Sequence, residues 1–149
     1  MRIIAIGFLA AASLTIMGAG SPNVKYREGQ VWEYQTRPVD KGSLLRIQKI
    51  ELIHIANKDE AVYHVSVIGL RLPGAPEAGG ELQHIPVSEA ALDASVTRLA
   101  PTNGAFPDPT AGIAEWRKAN GGVFTIPVAD IVASIEKMLT QREPTHIGS

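Results

Sequence analysis

Four histidines, His54, His64, His84 and His146, are the side chains of this chain best suited to acid–base or metal chemistry, because imidazole exchanges a proton near neutral pH. None of them forms the close i, i+4 pair that puts two imidazoles on one helix face, so a helical metal motif is not indicated. His64 falls within a stretch read as a strand and His84 beside the end of another, which makes them candidate cross-strand neighbours. With a carboxylate such as Glu33 or Glu81 they would form half of a metal or acid–base site; the competing expectation is two solvated or locally hydrogen-bonded histidines.

Other chemistry finds little support. The chain has no Cys, which removes thiolate catalysis, disulfides and Cys-held zinc. G-x-S-x-G does not occur, and no glycine-rich phosphate loop is present. No metal, cofactor or catalytic residue is therefore assigned. Lys and Arg number 14 against 15 Asp and Glu, with no basic run, so nucleic acid is not an expected partner.

A polar sheet face is the stronger candidate. Glu33, Gln35, Arg37, Arg46, Gln48, His64 and Ser66 fall on the wet side of a three-strand pattern, and Arg37, Arg46, His64 and His84 are the candidate binding residues. Another protein or a small ligand is the expected partner. Antiparallel sheets commonly leave one face to water without any such role. Trp32, Tyr34 and Trp116 are read as core rather than as a pocket lining.

The elements that must position these residues follow from periodicity. Gln30 to Arg37 alternates with Trp32 and Tyr34 on the inner side, and Pro38 to Ser43 turns the chain. Leu44 to Ile55 is a second strand whose phase shifts near Lys49, which a bulge would reconcile. After a turn at Asn57 to Glu60, Ala61 to Leu72 is a third strand, and PGAPEAGG at 73–80 is a loop. Leu82 to Ile85 is a short strand stopped by Pro86, and Ser88 caps a helix reaching about Leu99. Asp108 and Pro109 open a second helix closed by Asn120 and Gly121, with Ile113 and Trp116 as its anchors. Gly122 to Ile126 is a last strand, and Val128 to Gln141 a helix whose stripe is Val128, Ile131, Val132, Ile135, Met138 and Leu139. The order predicts an α+β fold: an antiparallel meander of four to five strands with about three helices packed on one face.

Arg2, the uncharged apolar stretch from Ile3, and the small residues Gly18, Ala19 and Gly20 have the layout of a signal peptide. The expectation is cleavage after residue 20 and a single domain over 21–149, exported to a periplasm or the medium. The alternatives are a retained membrane anchor, since about 20 apolar residues span a bilayer, and a buried helix. Losing Arg2 moves the formal net charge from −1 to about −2, and no stable membrane insertion is expected after cleavage.

Gly29-Gln30-Val31-Trp32-Glu33-Tyr34, Thr36-Arg37-Pro38, His64-Val65-Ser66-Val67-Ile68-Gly69-Leu70, His84-Ile85-Pro86 and Gly122-Val123-Phe124-Thr125 together resemble a family of small bacterial proteins. The resemblance covers roughly residues 29–132 and implies no activity, ligand or catalytic residue. Relatives carry a Tyr three positions before the second helix's tryptophan, where this chain has Ile113. The sequence thus points to a non-catalytic binding or interaction protein outside the cytoplasm, with a small hydrolase or metal-assisted enzyme using His64 and His84 as one alternative and a structural envelope protein as another.

Overall fold

Alternation of apolar and polar residues builds the sheet from β1 (Val31–Tyr34), β2 (Leu44–Ile55), β3 (Lys58–Leu70), β4 (Gly80–Ser88) and β5 (Val96–Leu99). All neighbours are antiparallel, in the order β4-β3-β2-β1-β5. The computed structural model describes residues 25–101 and 104–142; the expected signal segment at 1–20 and His146 lie outside the described residues. Three helices complete an α+β fold: α1 (Glu89–Asp93), α2 (Thr110–Lys118) and α3 (Val128–Arg142). Among the described residues no helix is long and apolar enough to cross a membrane.

One face of the sheet carries the hydrophobic core. Leu45, Ile47, Val65, Val67, Ile85 and Val87 meet Ala91 and Leu92 of α1 and Val128, Ile131 and Val132 of α3. Tyr26 closes this layer, packed edge-on against Trp32 and Tyr63. Of the stripe expected on the last helix, Ile135 reaches the core, while Met138 and Leu139 lie beyond it and stay exposed.

The opposite face is covered as well. Helix α2 lies there with Ile113 buried and the Trp116 ring 4.8 Å from that of His64, so α1 and α3 share one side and α2 takes the other. Asp108 accepts from the Thr110 backbone N–H at 2.9 Å and its hydroxyl at 2.6 Å, which starts α2 one residue later than expected. Asn120, at φ 47°, closes it.

Several boundaries differ from expectation for identifiable reasons. The helix expected from Ser88 to about Leu99 stops at Asp93: Ser88 does cap it, accepting from the Ala91 N–H, but Val96–Leu99 is drawn onto the free edge of β1 as β5. Tertiary pairing with a β-branched segment outweighs the helical pattern there. Pro86 does not end β4, because β4 is the sheet edge and one missing donor is tolerated. The strand expected over 122–126 is a single parallel bridge between Val87 and Phe124. Turn residues Ala56 and Asn57, both at positive φ, let β3 begin at Lys58.

Candidate functional site

A bulge positions the site. Between Ile47 and Lys49 the β2–β3 register shifts by one, so Gln48 and Lys49 share a place on the face opposite the core. From there the alternation puts Glu51 on that same face, opposite Val62 and two pairs from His64. Gln48 uses the bulge to reach both the Ser66 hydroxyl and the Pro107 carbonyl, each at 3.2 Å, and Ser66 donates to the Gln83 carbonyl at 2.6 Å. The middle of the polar face is therefore sealed: His64 and Ser66 are 0% exposed.

Behind this seal the two strand histidines meet. His64 Nδ1 lies 2.7 Å from His84 Nε2, and His64 Nε2 lies 3.0 Å from Glu51 Oε2. The carboxylate fixes the proton order. Glu51 is held below the usual carboxylate range by the Arg117 guanidinium first and His64 second, so it can only accept. His64 then donates from Nε2, its Nδ1 accepts from His84 Nε2–H, and His84 Nδ1 is left as an acceptor. Burial pushes both imidazoles down, His64 against the upward pull of Glu51 and His84 to about 4, with the His64 ring beside it adding to the effect. Both are neutral at pH 7. The rings stack at 5.0 Å, and Gly112 of α2 presses on His84.

At the solvent end Arg117 grips Glu51 with two nitrogens, Nε at 3.0 Å and Nη2 at 3.1 Å. This fork forms the floor of a cleft of about 420 Å³ whose walls include Ile53, Ile55 and Trp116, with His54 at the rim bonded to Asp59 at 2.9 Å. The volume lies in the range of small-ligand sites. Trp116 is fixed by donating Nε1–H to the Gly122 carbonyl at 2.9 Å.

The four candidate binding residues divide. His64 and His84 come together, His64 fully buried and His84 half-buried, and neither lines the cleft. Arg46 sits on the same sheet face opposite Ser66, with its Nε buried and without a hydrogen-bond partner among the described residues. Arg37 belongs elsewhere: it bonds Asp40 at 2.6 Å, the Arg71 carbonyl at 3.0 Å and Glu136 of α3. Of the two carboxylates considered for the histidines, Glu33 is paired with Arg98 and Glu81 is exposed. The acid that joins them is Glu51, which strict alternation along the strand does not single out, nor does the helical pattern single out its partner Arg117. The phase shift at Lys49 was the available signal, since carrying the bulge through the strand puts Glu51 on the face of His64. Among the described residues no three His, Asp or Glu side chains are grouped to hold a metal ion.

No protein-family model, no curated protein and no solved structure matches this chain. Any functional reading therefore stands on these residues themselves.

Proposed function

We propose that the protein is a non-catalytic binding protein that works outside the cytoplasm and holds a small ligand in the cleft between the far end of β2 and α2. The observation that carries this reading is the Glu51–Arg117 fork, a polar floor set between the apolar walls of Ile53, Ile55 and Trp116. A few placed polar groups among apolar ones are the usual make-up of a small-ligand site. Against catalysis stands the use already made of the imidazoles: three of their four ring nitrogens are committed to the chain Glu51–His64–His84, and His84 Nδ1 faces Gly112 rather than the cleft. The reading of export rests on the arrangement of Arg2, the apolar stretch and Gly18–Gly20.

Two measurements test it. A fusion of the full chain to a reporter active only outside the cytoplasm should give signal, and one beginning at residue 21 should not. A thermal-shift panel of small amphipathic compounds should raise the melting temperature, since a ligand that binds only the folded state stabilises by mass action. Stabilisation that survives Trp116→Ala would remove the cleft as its site.

A further inference from the structure

Glu51 and Arg117 are not equivalent partners. Glu51 is held from behind by His64, which is fully buried and donates Nε2–H at 3.0 Å. A neutral imidazole orients the carboxylate without cancelling its charge. Among the described residues cancellation comes from Arg117 alone, on the solvent side, where its side chain is 47% exposed against 24% for Glu51. Ion pairs so open to water contribute about 0–1 kcal/mol. The acid is thus the fixed element of the cleft floor, and the guanidinium is the part that can leave.

The two kinds of charged guest face different costs. A cation replaces Arg117 on a carboxylate already in place, frees the arginine into water, and lays any apolar body against Ile53, Ile55 and Trp116. A cationic head near the indole gains further from its π face. An anion must instead draw Arg117 away and then lie beside a bare, anchored carboxylate, a like-charge contact. We infer that the cleft takes a small organic cation, an ammonium or quaternary ammonium head on an apolar body, which displaces Arg117 from Glu51. This inference rests on the reading of the cleft as a ligand site.

The test is calorimetric titration of the folded protein with benzyltrimethylammonium, hexylammonium and hexanoate at pH 7.5 and low salt. Both cations should bind and hexanoate should not. Glu51→Gln, whose amide oxygen still accepts from His64, should weaken cation binding by about tenfold or more. Arg117→Ala, at an exposed helix position where Ala is well tolerated, should strengthen it by about two- to fivefold, because the internal competitor is gone. Binding of hexanoate in preference to the cations, or weaker cation binding by Arg117→Ala, overturns the inference while leaving a ligand site in the cleft. Binding of none of the three probes by wild type and Arg117→Ala alike overturns the inference and the ligand-site reading together.

Discussion

Gly112 of α2 stands so close to His84 that a Cβ at position 112 would lie 2.6 Å from the His84 Cβ and 3.1 Å from its Cγ. The atom it meets is the root of the side chain, next to the backbone of β4, and cannot swing aside. On an exposed helix Gly→Ala gains up to about 1 kcal/mol. Here the clash decides the sign: Gly112→Ala should lower stability by about 1–3 kcal/mol, the usual cost of overpacking, because α2 must lift from the sheet. Urea unfolding followed by tryptophan fluorescence checks both the loss and the displaced Trp116, and a gain in midpoint would refute the contact.

Acid should loosen the same interface. In the unfolded chain histidine titrates near pH 6.5, whereas folded His84 is held to about 4. Between those values the unfolded state binds a proton that the folded state refuses, so stability falls as pH drops through this window and the loss is complete below it. Lys49 and Arg117 press in the same direction on His64, while Glu51 opposes them. At 1.36 kcal/mol per unit the His84 shift sets an upper bound of about 3 kcal/mol, and the part of the ring that reaches water brings the expected loss to about 1–2 kcal/mol. Glu51 works in a lower range: its carboxyl is depressed, so its contribution is present above about 4.5 and fades as pH falls through its folded value. Unfolding free energies measured from pH 7 to 4 should slope downward in the wild type and run flatter in His84→Gln, which keeps a donor toward His64. Equal slopes would detach the effect from His84.

Arg37 is expected to matter for stability and not for the cleft. Its partner Asp40 is 1% exposed and also accepts from the Arg71 N–H at 2.8 Å, tying the turn before β2 to the end of β3. Arg37→Ala strips the countercharge from that buried carboxylate, which typically costs about 3–5 kcal/mol. The bond from Arg71 places the expected loss near the lower end, about 3 kcal/mol. Adding Asp40→Asn should recover part of it, and thermal unfolding of the single and double variants measures both. Cation binding per folded molecule should be unchanged; a loss there would join Arg37 to the binding site.

How far the sequence reached is visible strand by strand. The meander from β1 to β4 was legible because each strand alternates and each reversal carries Pro, Gly, Asn or Asp. The fifth strand was hidden: Leu92, Val96 and Leu99 make a helical stripe, and only the open edge of β1, a non-local fact, selects the extended form. The meeting of His64 with His84 was a foreseeable cross-strand contact. Their carboxylate was not, because β2 read in strict alternation after Arg46 sends Ile50 and Leu52, not Glu51, to the polar side. Nor could periodicity tell that α2 would cover that face, since Ile113 and Trp116 fit either side of a sheet equally well.

The bulge that hid Glu51 also provides a test of how the site is held. Ile47 pairs with Val65 and Lys49 with His64, so Gln48 is the extra residue and the ladder on either side of it is already in step. Deleting Gln48 should therefore regularise the strand rather than slip it, leaving Ile50 toward the core and Glu51 beside His64. The cost should be about 1–3 kcal/mol, from the two side-chain hydrogen bonds to Ser66 and Pro107. Long-range proton–nitrogen NMR of the imidazoles reads the outcome directly. His64 protonated at Nε2 in both proteins means that Glu51 is still in place, whereas a switch to Nδ1–H in the deletion variant would mean that the strand had turned over and carried the carboxylate to the other face.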